Sequence, residues 1–333
     1  MTSASPRAQE IVLVGDIGGS TARFAVARLA GDGIRLEQVV SLRCAEFAGL
    51  AEAAEAFLGR LSGAPPSWAA IAIAGPVTGD RVGLTNHPWS FSVSETKSRL
   101  GLERLDVLND FAAIALAVPV LGTAGVQQIG GGAPVRDCPL AVIGPGTGLG
   151  VAALVPSNGS WVSVDSEGGH ATFAPMTERE DRIAKILRRR HGHVSWERIL
   201  SGPGLVNLYT AIAEIDDFPP LALSPEQIVE QGLGGAGEPC REAVEIFCAA
   251  LGTAAGNLAL TIGARGGVFI GGGIVPRLGG SFGASDFRGR FENKGRMSSY
   301  LRAIPTYVIA AAYPGLIGAA ASLRFRSREG TSP

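Results

Sequence analysis

The stretch "EIVLVGDIGGSTARFAVARL" (residues 10–29) is a β-branched apolar run, a glycine-and-hydroxyl turn and a second apolar run. About half a chain later, "PLAVIGPGTGLGVAALV" (139–155) repeats the plan. Each reads as strand–turn–strand, because the runs are short and the glycines sit where a hairpin must reverse. Two copies of one supersecondary unit at that separation predict an internal duplication. They also exclude two common phosphate-binding folds. A dinucleotide fingerprint or a Walker loop must open a helix after its glycines, and neither G-x-G-x-x-G nor G-x-x-x-x-G-K-[ST] fits here.

Between the hairpins the pattern predicts a helix ("EFAGLAEAAEAFLGRL"), a strand ("WAAIAIAG"), the loop "LTNHPWSFS", a strand ("RLDVLND") and a helix ("FAAIALAV"). After the second hairpin it predicts mainly helices, then "GGVFIGGGIVPRL", a strand ending in a third glycine cluster. At 333 residues the chain has room for two domains. The stretch 303–323 carries no charge over 21 positions and has Pro314-Gly315 in its middle. It reads as a buried strand followed by a buried Ala-rich helix rather than a membrane span. The opening "MTSASPRAQE" lacks the apolar stretch of a signal peptide.

Net charge is −1, which argues against a nucleic-acid partner, since that requires a basic surface. The one basic run, Arg188–His191, ends "EREDRIAKILRRR", where acids lead and bases trail. That order suits the dipole of a solvated helix. Cys44, Cys138, Cys240 and Cys248 form no C-x-x-C pair, so a reduced, cytoplasmic protein with packing cysteines is expected.

Glycines let backbone N–H groups approach an anion closely, and a nearby hydroxyl adds a donor. The turns "GDIGGST" and "GPGTGLG", with Gly271-Gly272-Gly273 as a third cluster at a strand end, together favour a nucleotide cleft. Asp16 beside the first turn suits Mg²⁺, which binds through one or two carboxylates, waters and phosphates. "LNDFAAIALA" delivers Asn109 and Asp110 to the mouth of a helix. Asp110 there either caps the helix or serves as general base, taking a proton from a hydroxyl that attacks phosphorus. "SEGGH" (166–170) presents Glu167 and His170 three positions apart on a bare backbone. A metal site is disfavoured, with no third ligand nearby in sequence. A carboxylate and an imidazole suit a clamp for neighbouring sugar hydroxyls, and a loop acid beside a packed histidine is the plainer alternative.

In this order the motifs "GDIGGST", "LTNHPW", "LNDF", "IGPGTGLGVA", "SEGGHATFAP", "HVSWERILSGPGLVNLY", "GGVFIGGGIVPR" and "PGLIGAAA" resemble the bacterial glucokinase family of the hexokinase-type, actin-like ATPases. The likeness runs from about residue 11 to 322. It implies ATP-dependent phosphorylation of glucose on its 6-hydroxyl, the entry step of glycolysis, with Mg²⁺. Asp110 would be the base, and Asn109, Glu167, His170 and Glu197 would join it on the sugar. Gly15, Asp16, Ile17, Gly18, Gly19, Ser20 and Thr21 would form the first phosphate loop, Thr147 and Gly148 the second. Gly271, Gly272 and Gly273 would lie on the adenosine side, with Mg²⁺ on Asp16 through water.

The fold implied is two-domain α/β, actin-like (ribonuclease H-like), with an interdomain cleft. Residues 8–120 plus a C-terminal helix 313–330 would make the small domain, and 121–312 the large one. A cytoplasmic homodimer without a membrane partner is the implied assembly. Ser20-Thr21 stand where the family usually has Thr-Asn, and "DSEGGH" replaces a usual Pro-Gly before the acid. "HATFAPMTERE" has no cysteine, which separates the chain from the zinc-containing repressor–kinase branch, and no helix-turn-helix domain is expected before residue 11. A kinase for mannose or fructose, or a non-catalytic sugar sensor, are the competing readings, and a sensor has no use for Asp110.

Overall fold

The computed structural model describes residues 10–31, 33–85, 87–235 and 237–329. The stretch read as lacking a signal peptide (1–9), Asn86 of "LTNHPW" and the last residue of the expected C-terminal helix lie outside them. The chain divides into two compact units. One takes residues up to Gly125, Ser157–Ser163 and those from Ala311 onward, and the other takes Val126–Pro156 and Val164–Ala310. The return of Ser157–Ser163 to the first unit was not foreseen from the sequence.

In the first unit the hairpin forms as expected, from β1 (Glu10–Ile17) and β2 (Thr21–Ala30), and a third strand, β3 (Gly33–Arg43), extends it. Its sheet continues through β4 (Trp68–Ile73); a small separate hairpin, β5 (Arg81–Gly83) and β6 (Ser90–Ser92), precedes the last strand, β7 (Arg104–Asn109). The order is β3-β2-β1-β4-β7. β1, β4 and β7 are parallel, and the register runs Ile17 to Ile73 to Asn109. The three parallel strands therefore end level, which places the first glycine turn, Gly75 and Asn109 on one sheet edge. Helices α1 (Leu50–Leu58), α2 (Val93–Arg99) and α3 (Asp110–Ala117) complete the unit with the C-terminal helix Pro314–Glu329. Phe24 and Phe57 stack in its core at 5.7 Å. The C-terminal helix packs on α3 so closely that a Cβ on Gly318 would overlap the Ala113 carbonyl.

The second unit's sheet has the strands β8 (Val126–Ile129), β9 (Leu140–Pro145), β10 (Leu149–Ser157), β11 (Ser160–Ser166), β12 (Gly267–Ile270) and β13 (Thr306–Ile309). Their order is β11-β10-β9-β12-β13-β8. Apart from β8, this repeats the first sheet strand for strand, with β9, β12 and β13 parallel as β1, β4 and β7 are. The duplication expected from the two hairpins is thus present in the topology. Here too the glycine turns follow the carboxyl ends of parallel strands, the position where open α/β sheets bind ligands.

Helices α4 (Glu178–His191), α5 (Gly202–Ile215), α6 (Pro225–Gly234) and α7 (Glu238–Ile262) pack around this sheet. α4 departs from the solvated helix expected of it. Its acids do lead and its bases trail, but Glu180 is buried and paired with the buried Arg290. The stretch 303–323 divides into β13 and the C-terminal helix. Among the described residues, the helix long and apolar enough to cross a membrane is instead α7, and 72% of its most apolar window is buried inside the protein. The four cysteines are free. Burial pushes the Cys248 thiol up to about 12, which keeps it protonated and inert.

Candidate active site

In the first unit, Gly18–Ser20 make the turn between β1 and β2, while Gly15, Asp16 and Ile17 belong to β1 and Thr21 to β2. The expected phosphate loop is therefore shorter than the motif. Ile17 is fully buried in the core, and a Cβ on Gly15 would stand 2.7 Å from Ile71 Cδ1. Gly15 thus packs closely within the sheet, and an added methyl would have to displace the end of the Ile71 side chain. Ser20 is exposed at the turn, whose shape is fixed by Gly18 N–H on Thr21 O at 3.0 Å and Cys44 N–H on Ser20 O at 3.0 Å.

Asp16 points its carboxylate out of the strand with a quarter of its side chain exposed, 3.8 Å from Arg23. Burial pushes that carboxyl above the ordinary carboxylate range, and the Arg23 guanidinium draws it back in part. The carboxylate also lies against the first turn of the C-terminal helix, where a Cβ on Gly315 would stand 2.9 Å from Asp16 Cγ. Among the described residues no cluster of three metal-ligating side chains exists. A metal here would take Asp16 as its carboxylate and find its remaining ligands in water and phosphate, the habit of Mg²⁺.

Asn109 and Asp110 stand at the end of β7 and the start of α3. The sequence left open whether Asp110 caps the helix, and Asn109 does so. Asn109 Oδ1 accepts from Phe111 N–H at 2.9 Å and Ala112 N–H at 3.2 Å, and its Nδ2 donates to Gly75 O at 3.2 Å. That leaves Asn109 one amide hydrogen to offer a ligand. Asp110 Oδ1 accepts Phe111 N–H at 2.9 Å. Its carboxylate is held at a helix N-terminus, where negative charge is stabilised.

In the second unit, Gly146–Gly148 turn β9 into β10, with Thr147 exposed at the tip. Gly146 N–H bonds Gly148 O, and Gly202 N–H bonds Gly146 O, both at 2.8 Å. The second bond ties the turn to the start of α5. Sequence reasoning missed this tie, although "SGPG" is the kind of helix start whose backbone N–H can serve it. Gly271–Gly273 follow β12. Gly272 has φ +80°, and a Cβ there would overlap the Pro145 carbonyl, so the cluster lies against the end of β9.

"SEGGH" forms a 3-10 turn, Gly168–His170, with Glu167 just before it. Across from it the 3-10 turn Trp196–Arg198 presents Glu197, strapped in place by Trp196 N–H on Ala171 O at 2.9 Å. His170 Nε2 lies 3.8 Å from Glu167 and His170 Nδ1 lies 4.0 Å from Glu197. Both separations exceed a hydrogen bond. Glu167 and His170 are 74% and 60% exposed, so neither is a packed loop residue. Two carboxylates flank an imidazole that none of them engages directly, a set with acceptors and a donor held ready for hydroxyls.

The family model described as Glucokinase matches residues 13–325. The chain belongs to the glucokinase family. A glucokinase of Chromobacterium violaceum is 53% identical over 93% of this chain and 88% of its own length. One of Paramagnetospirillum magneticum is 50% identical over 93% and 97%. The crystal structure of a glucokinase from an Antarctic psychrotroph superposes with a TM-score of 0.87 at 39% identity, covering 95% of this chain and 99% of that one. The fold of this glucokinase-family chain is accordingly the two-unit α/β fold of the actin-like ATPases.

Proposed function

We propose that the protein transfers the γ-phosphoryl group of ATP to the 6-hydroxyl of glucose, giving glucose 6-phosphate and ADP. Membership of the glucokinase family over nearly the whole chain carries this reading, and the Glu167–His170–Glu197 cluster supports it. Asp110 takes the proton of the 6-hydroxyl as that oxygen attacks phosphorus. Asn109, Glu167, His170 and Glu197 hold the other hydroxyls. Gly18, Gly19, Ser20, Thr147 and Gly148 hold the phosphates, while Gly271–Gly273 lie on the adenosine side. Asp16 would hold Mg²⁺ through water, and the ion would supply charge neutralisation to the phosphate oxygens when bound. The assembly we infer, on family resemblance, is a cytoplasmic homodimer; a light-scattering mass of one chain would overturn it.

A coupled assay of ATP consumption across glucose, mannose, fructose and N-acetylglucosamine tests the function directly. Glucose is expected to give the highest kcat/KM, and turnover of none of the four would leave only the sensor reading. Ser20→Ala or Thr147→Ala is expected to raise the KM for ATP with glucose affinity nearly unchanged. Greater damage to glucose binding would reverse the assignment of the turns.

Glu167→Ala and His170→Ala should each weaken glucose binding about 10- to 100-fold, because a hydrogen bond is lost and a ligand hydroxyl is left unpaired. The double variant should lose less than the sum, since both side chains hold one ring. Calorimetric titration with glucose, without nucleotide, reads all three. Unchanged affinity in both single variants would end the clamp assignment.

A further inference from the structure

The glycine turn at 146–148 and the loop carrying His170 meet on one residue, Leu149. Its N–H donates to Glu197 Oε2 at 3.0 Å. Its carbonyl oxygen lies so close to Gly169 that a Cβ there would overlap it. The preceding Gly148 approaches the same carboxylate: a Cβ on it would stand 2.5 Å from Glu197 Oε2. The other carboxylate oxygen, Oε1, is the one 4.0 Å from His170 Nδ1. One side chain, a third exposed, thus has one oxygen in the main chain of the glycine turn and the other beside the histidine. Glu197 is itself anchored on both sides, by the Trp196 strap and by Ser201 Oγ donating to Glu197 O at 2.7 Å.

The geometry points to Glu197 as a positioning residue for the second phosphate-binding turn, in addition to its place on the sugar. A carboxylate accepting a backbone N–H is among the stronger hydrogen bonds. This one fixes the residue immediately after Thr147 and Gly148, in a turn whose glycines supply little stiffness of their own. Loss of the bond frees the turn, and the nucleotide must then order it on binding, which lowers affinity. Sugar-side and nucleotide-side groups are in this way linked within one unit, through Leu149. The inference rests on the assignment of Thr147 and Gly148 to the nucleotide.

The test is titration of the full-length protein with a non-hydrolysable ATP analogue and Mg²⁺ in the absence of sugar, and separately with glucose alone. Glu197→Ala is expected to weaken the analogue about 5- to 20-fold as well as weakening glucose. Glu167→Ala, which has no bond to the turn, should lose glucose affinity and keep analogue affinity within about twofold. Glu197→Gln should separate the two roles. Its amide oxygen still accepts Leu149 N–H, so analogue affinity returns, while an NH₂ now stands beside His170 and glucose stays weak.

Gly148→Ala gives an independent arm. Its methyl displaces the end of a flexible side chain rather than backbone, so the fold survives, yet the carboxylate must leave Leu149. Both ligands are expected to weaken, although residue 148 is assigned to the nucleotide alone. Glu197→Ala with analogue affinity within twofold of wild type would make Glu197 a sugar ligand only and overturn the inference. Should that variant fail to fold, Gly148→Ala decides: weakened analogue with unchanged glucose overturns it equally. Thr147→Ala and Gly148→Ala together identify which reading has failed, because unchanged analogue affinity in both removes the turn from the nucleotide site.

Discussion

Asp110→Asn is expected to lower kcat by about 10²- to 10⁴-fold, the range for loss of a general base. Glucose affinity should fall far less. The amide keeps an oxygen for Phe111 N–H, which Asp110 Oδ1 accepts at 2.9 Å, so the start of α3 is preserved. Asn109, the residue that caps the helix, is untouched. The variant therefore removes proton acceptance while leaving the scaffold. Steady-state kinetics beside a glucose titration read the two effects separately. Retention of more than about a tenth of wild-type kcat would remove Asp110 from the proton transfer.

Arg290→Met is expected to cost about 3–5 kcal/mol of stability, because it strands a buried carboxylate. Arg290 meets Glu180 with both terminal nitrogens, at 2.7 and 3.1 Å, and its Nε donates to Thr253 Oγ1 at 3.1 Å. Glu180 Oε2 also accepts Met176 N–H at 2.7 Å, which anchors the segment running from "SEGGH" into α4. The double variant Glu180→Gln/Arg290→Met should recover most of the loss. It removes the stranded charge and keeps an acceptor for Met176 N–H, and replacing a buried ion pair whole is far less costly than breaking it. Thermal unfolding of the three variants tests this. A single variant within about 1 kcal/mol of wild type would mean that water or another group compensates Glu180.

The same pair shows where reading the sequence stops. "EREDRIAKILRRR" carries the charge order of a helix with its dipole complemented, and α4 is that helix. Which of its acids faces the core depends on a partner about a hundred residues away, and no local pattern announces Arg290. Strands β3 and β11 were missed for a related reason. Both lie at the edge of their sheet with many exposed residues, so they lack the continuous apolar runs that marked β1, β4 and β9.

The hairpins, the glycine turns at strand ends, the strand-to-helix junction at Asn109–Asp110 and the "SEGGH" turn were all legible by themselves, because each is a short-range matter of glycine placement and apolar period. Those pieces in order also sufficed to indicate the family. Tertiary structure alone decided which residues of each motif reach solvent. It put Ile17 in the core and Gly15 against Ile71, made Asn109 rather than Asp110 the helix cap, and brought Glu197 from a separate turn to within 4.0 Å of His170 and onto Leu149 N–H. Such juxtapositions are set by sheet register and by loops packing on one another, and those depend on the whole core rather than on neighbours in the chain.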